Sequence, residues 1–238
     1  GCLVDESWFG RDRLATLGGV QFAVDTWQRH PDHKGAIYGA CNMIASMSRG
    51  CELTKKKLVF DMGFIQLGLD SIRRFPKTED HVRAGVMEAF GAIANTPPSQ
   101  EIHAKLVEDG VLEAAAQVLR ENGDGAAAVS GANKVVQIIG LQNITHRRRI
   151  VQSGIAGLIV GLLGSTPRQH KADPDLTGIQ ALAALVQDEN KKHFVELGVA
   201  EKVESLMKAK PKHGGLQGAG AKLLNVLKGT GGGAAKTA

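Results

Sequence analysis

A glycine followed by an apolar residue and an amphipathic stretch returns five times along the chain, at Gly19-Val20, Gly63-Phe64, Gly110-Val111, Gly154-Ile155 and Gly198-Val199. The intervals are 44, 47, 44 and 44 residues. This spacing constrains the fold more than any other feature. A unit of about 44 residues cannot bury its own apolar face and has to stack on its neighbours. Proline closes four of the stretches, at Pro31, Pro76, Pro167 and Pro211.

A second pattern runs in phase with the first. The pairs Met43-Ile44, Ala89-Phe90, Val135-Val136, Ala181-Leu182 and Leu223-Leu224 share a register. Four residues on stand Met47, Ile93, Ile139, Leu185 and Leu227. Three residues back stand Ala40, Val86, Ala132, Gly178 and Gly220, and seven back Ala36, Val82, Ala128, Pro174 and Leu216. Offsets of −7, −3, 0, +1 and +4 make one stripe on an α-helix. Pro174 fits as the first residue of its helix. Short segments precede the glycines: KKKLVFDMG, HAKLVEDG, RRRIVQSG and KKHFVELG. Each reads as a short helix ending at a glycine that turns the chain left-handed into the next helix. The predicted unit is therefore short helix, glycine turn, second helix, loop, third helix.

Composition agrees. Aromatics are 4% and hydrophobic residues 43%, which favours helices over a β-sandwich and is enough to build a core. Small residues at Ala40, Gly85, Gly131 and Gly178 are expected where neighbouring helices cross closely. The three cysteines, Cys2, Cys41 and Cys51, do not make a disulfide scaffold. No apolar run is long enough for a membrane helix, and residues 1–5 show no secretory signal. An intracellular, cytoplasmic setting is expected, with nuclear or cytoskeletal association left open. The missing initiator Met suggests a trimmed chain or a fragment.

The pattern resembles the armadillo repeat, above all in KKHFVELGVAEKVESLM and in HVRAGVMEAFGAIANTP, where AFGAIAN matches that family's third helix. The resemblance covers residues 14–228 in about four and a half repeats. Residues 1–13 read as an extension or truncated repeat, and 229–238 as a flexible Gly/Ala tail. The implied fold is all-α, a right-handed α-solenoid of three-helix repeats. The third helices of such a fold line a concave groove. The ladder positions of that groove are Asn42 and Arg49, Glu88 and Asn95, Lys134 and Gln137, Gln180 and Gln187, and Asn225. The family's nuclear-import adaptors carry Trp and Asn down this ladder. Here only Asn95 matches, and Ala45, Gly91, Gln137, Ala183 and Asn225 stand at the Trp positions.

Three basic runs occupy the same place in their repeats: Lys55, Lys56 and Lys57; Arg147, Arg148 and Arg149; Lys191 and Lys192. Together they would form a basic ridge away from the groove, suited to an acidic partner. The net charge of +5 permits such a partner without requiring nucleic acid. His30-Pro31-Asp32-His33 has too few donors for a metal site. Gly215 to Gly220 lacks the Lys-Ser/Thr of a phosphate loop and reads as a frayed last helix. No catalytic set, cofactor, metal or small-molecule substrate is expected. The sequence points to a non-catalytic interaction scaffold that holds an extended peptide or partner helix. Two alternatives are a nuclear transport adaptor and a regulatory domain of a larger protein, such as a ubiquitin ligase or co-chaperone.

Overall fold

The computed structural model describes residues 13–49, 51–95, 100–121, 125–165 and 172–229. Apart from Arg13 and Gly229, the expected N-terminal extension and C-terminal tail lie outside them. The first repeat pairs α1 (Gly19–Arg29) with α2 (Lys34–Ser48). The second opens with α3 (Glu52–Lys56), runs through a π-helical turn (Lys57–Asp61), and continues as α4 (Phe64–Arg74) and α5 (Asp80–Ala94). The third has α6 (Gln100–Glu108), α7 (Val111–Glu121) and α8 (Ala126–Gln142). The fourth has α9 (Ile144–Gln152), α10 (Ile155–Leu162) and α11 (Pro174–Leu185), and the fifth α12 (Lys191–Glu196), α13 (Val199–Ala209) and α14 (Gly214–Lys228). No described helix is long and apolar enough to cross a membrane.

The turn glycines adopt the left-handed conformation that side chains resist: φ is 63° at Gly63, 99° at Gly110, 77° at Gly154 and 68° at Gly198. In the first repeat this role falls to Gly18, with φ 86°, and not to Gly19, which begins α1. Gly19 is required for space instead, because a Cβ there would sit 2.8 Å from Leu14.

The predicted stripe is buried. Ile44, Phe90, Val136 and Leu182 are fully enclosed and Leu224 nearly so. Each such side chain contributes about 1.5–3 kcal/mol relative to exposure. The third helices α2, α5, α8, α11 and α14 stack in order, and one hydrophobic core runs through all five repeats. Glycine makes the close crossings possible. A Cβ on Gly85 would meet Cys41 of α2 at 3.3 Å, and one on Gly131 would meet the Met87 Cβ of α5 at 2.8 Å. Trp27, Phe64 and Phe90 form an edge-to-face series across the first two repeats, with ring centroids 5.8 and 5.5 Å apart. The Trp27 indole donates to Ser71 Oγ at 3.1 Å, which satisfies its buried N–H. Cys41 is a buried filler whose thiol is pushed far up by burial.

The last third helix is not frayed. α14 runs unbroken from Gly214 to Lys228, and Gly229 closes it with φ 74°. His213 holds its start, since Nδ1 accepts from the Leu216 amide at 3.1 Å.

Candidate functional site

The stacked third helices bring ladder residues from different repeats together. Between α8, α11 and α14 lies a hollow of about 400 Å³, lined by Gln137, Leu141, Gln180, Ala183 and Lys222 with glycines of α14 beneath. Three repeats thus converge on one depression. Its polar groups are two carboxamides and an ammonium. No hydrogen bond or ion pair among the described residues engages Gln137, Gln180 or Lys222. A carboxamide both donates and accepts, which suits it to a peptide backbone. Small residues at 183, 215 and 218 leave the floor open.

The remaining ladder residues lie elsewhere. Asn42, Lys134 and Asn225 are exposed on α2, α8 and α14. Arg49 Nη2 contacts Glu88 Oε1 at 3.1 Å, so these two bridge α2 and α5. Asn95 ends α5, its amide donating to Gly91 O at 2.9 Å, and its carbonyl accepts from Lys55 Nζ. Gln187 folds against its own loop, its Nε2 donating to Val186 O at 2.6 Å and its amide N–H to Asn190 Oδ1 at 2.7 Å.

The basic residues do not form an open ridge. Lys55 is 1% exposed, and burial holds its ammonium below the usual lysine range despite Glu52 and Cys51 nearby. Arg147 Nε donates to Gly140 O at 2.9 Å. Lys56 pairs with Glu101 at 3.3 Å, Arg148 with Glu189 at 3.2 Å, Arg149 with Glu113 at 2.8 Å and Lys192 with Glu196 at 3.8 Å. Carboxylates from the same or neighbouring repeats therefore pair with four of the eight basic residues. Lys57 is exposed and Lys191 half-buried. In the His30–His33 segment, His33 Nδ1 accepts from Ala36 N at 3.0 Å and starts α2, while Asp32 pairs with Arg74 at 3.0 Å. No group of three potential metal ligands occurs among the described residues.

One register position escapes a reading of the sequence, six residues before the stripe reference. Arg83 stands there on α5 and is buried. Its guanidinium donates to the carbonyls of Ile72 and Phe75 at 3.0 Å each, and to Glu121 at 2.6 Å. It thereby satisfies two carbonyls at the end of α4 that helix geometry leaves open. Burial works against the Glu121 charge, but hydrogen bonds from Arg83 and Gln117 outweigh it and hold this carboxyl below its ordinary range. On α14 the position is Gln217, whose Nε2 donates to Met207 O at 2.8 Å and Lys210 O at 3.0 Å. On α11 it is Asp175, which accepts from Gly164 N at 2.7 Å and pairs with Lys210. His213 Nε2 bonds Asp173 beside it. These contacts tie second helices to third helices within and between repeats.

Comparison with known proteins reaches the fold through structure alone. No family model matches the sequence, and no curated protein matches it. Among solved structures, an engineered protein superposes with a TM-score of 0.78 at 19% identity, covering 96% of this chain and 87% of that one. A computationally designed armadillo repeat protein for modular peptide recognition superposes with a TM-score of 0.74 at 17% identity, covering 94% of this chain and 88% of the other. The chain has the armadillo-type fold, an all-helical solenoid.

Proposed function

We propose that this chain is a non-catalytic binding scaffold that holds an extended peptide along the third helices, centred on the hollow between α8, α11 and α14. The observation that carries this reading is the convergence of Gln137, Gln180 and Lys222 from three successive repeats. The carboxamides would pair with the peptide backbone, each repeat adding a contact, so that affinity builds along the chain. Lys222 and the exposed Lys134 favour a peptide carrying an acidic side chain. A designed armadillo protein for peptide recognition shares the fold, which supports a peptide as the class of partner.

The test is selection of a displayed library of random linear peptides against the full chain. Selected peptides should lose about tenfold or more in affinity on the double variant Gln137→Ala/Gln180→Ala, the loss of two backbone pairings at roughly 1 kcal/mol each. Thermal stability should be unchanged, because neither side chain supports the fold. Peptides that bind the double variant as well as the parent would overturn the assignment.

A further inference from the structure

The hollow between α8, α11 and α14 has two chemically unlike ends. The third helices run parallel, since Asn133 of α8 meets Thr177 of α11 and Gly140 of α8 lies against Leu185 of α11 in the same order. Equivalent register positions therefore form rows across the stack. Gln180 and Lys222 share the row one residue before the stripe reference, and Leu141 lies two helical turns beyond that row, at the close of α8. The lining follows this diagonal, from Leu141 and Gln137 on α8, over Ala183 of α11, to Lys222 and the glycines of α14. Leu141 is 53% exposed, an apolar side chain with open space before it. Lys222 stands exposed at the other end. No carboxylate lines the hollow between them. In the row of Lys222, α8 adds the exposed Lys134, and α5 has Glu88, which pairs with Arg49. Among the described residues no carboxylate pairs with either lysine. Positive charge thus holds from α14 to α8 and reverses at α5.

We propose that the peptide held here sets an apolar side chain on Leu141 and a carboxylate on Lys222, with the two about six to seven residues apart. This rests on the peptide reading above and adds which side chains the peptide carries and at what spacing. From α8 to α14 is two interaxial steps, about 16–20 Å. Leu141 is offset along the helix axis by about 10 Å. The diagonal is about 19–23 Å, the reach of about six to seven extended residues. The carboxamides of Gln137 and Gln180 lie between the ends and serve the backbone of the intervening residues. The ends are not interchangeable. A carboxylate laid on Leu141 would give up water without gaining a partner, and an apolar group laid on Lys222 would desolvate the ammonium. An acidic run continued past Leu141 towards α5 would meet Glu88.

Parallel selections from a displayed library of random linear peptides test this, on the full chain and on the variants Lys222→Glu and Leu141→Lys. Peptides selected on the parent should carry Asp or Glu about six to seven residues from Leu, Ile, Met or Phe, and they should bind either variant about tenfold or more weakly. Selection on Lys222→Glu should exchange the acid for Lys or Arg and keep the apolar residue. Selection on Leu141→Lys should keep the acid and exchange the apolar residue for a second acid. Both replaced side chains are exposed, and the composition of the parent pool decides even if a variant unfolds. Parent-selected peptides that depend on Gln137 and Gln180, yet lack this pair or bind either variant undiminished, would overturn the proposal and leave the groove reading standing. Peptides indifferent to Gln137→Ala/Gln180→Ala, or no enrichment at all, would overturn both.

Discussion

Replacing Gly131 by alanine sets two opposed effects against each other. In a helix interior alanine is favoured over glycine by about 1 kcal/mol. At Gly131 the new methyl would lie 2.8 Å from the Met87 Cβ, 3.6 Å from Ala84 O and 3.7 Å from Glu88 N. The obstacle is the root of a side chain on the α5 backbone, which cannot swing aside, so α5 and α8 must separate. Overpacking of this kind costs about 1–3 kcal/mol. The net effect should run from neutral to a loss of about 2 kcal/mol. Gly218 provides the control, since it lies inside α14 with nothing within 4 Å of an added methyl, and Gly218→Ala should gain about 1 kcal/mol. Urea denaturation followed by circular dichroism would measure both, with unchanged slopes showing that the midpoints report stability. The two variants should differ by about 1–3 kcal/mol. If Gly131→Ala stabilises as much as Gly218→Ala, the third helices do not approach as described and the stacking argument fails.

Three further outcomes follow from the contacts above. Arg83→Met should destabilise by about 1–3 kcal/mol, because it strands the carbonyls of Ile72 and Phe75 in the interior; denaturant melts would show it, and a neutral result would remove the sealing role. Phe64→Ala should cost about 3–5 kcal/mol through the cavity left between Trp27 and Phe90, again read from the denaturation midpoint. Burial, with repulsion from His103 and Arg149, holds His146 below the ordinary histidine range. Its folded-state pKa is therefore depressed, the unfolded chain binds the extra proton, and stability present above about pH 6.5 should decline as pH falls below it. Melts across that range should show a shallower decline for His146→Gln than for the parent, and equal slopes would exclude His146 as the source.

The register of the repeats is legible in the sequence because it rests on local periodicity. Turn glycines, a five-column stripe and a proline at the start of α11 all reflect interactions within one helix or one turn. Gly18 and Gly19 are not separable there, since two adjacent glycines look alike and only the backbone angle shows which one turns the chain. The basic ridge misleads for a different reason. Adjacent lysines and arginines advertise charge, but apart from the local Lys192–Glu196 pair their carboxylate partners lie 36 to 45 residues away, as Arg149–Glu113 and Lys56–Glu101 do. Lys55 gives no sign of burial, because the carbonyl that receives it, that of Asn95, closes the far end of the same repeat. Arg83 and the histidine caps are invisible likewise: an arginine in a stripe and a histidine after Pro-Asp or Pro-Lys have no local signature of the role they take. The groove falls between these cases. Gln137 and Gln180 can be placed on the ladder by register, and Lys222 holds the register position of Gln180 on the last third helix, whereas their convergence on one hollow requires the helices to be stacked.

Amide hydrogen exchange of the chain with and without a selected peptide is the most direct measurement of where binding occurs. Added protection, or shifted exchange, should be confined to α8, α11 and α14 around Gln137, Gln180 and Lys222, with α9 and α12 unaffected. Protection concentrated on α9 and α12, with the third helices unchanged, would contradict it and move the binding surface to the basic first helices.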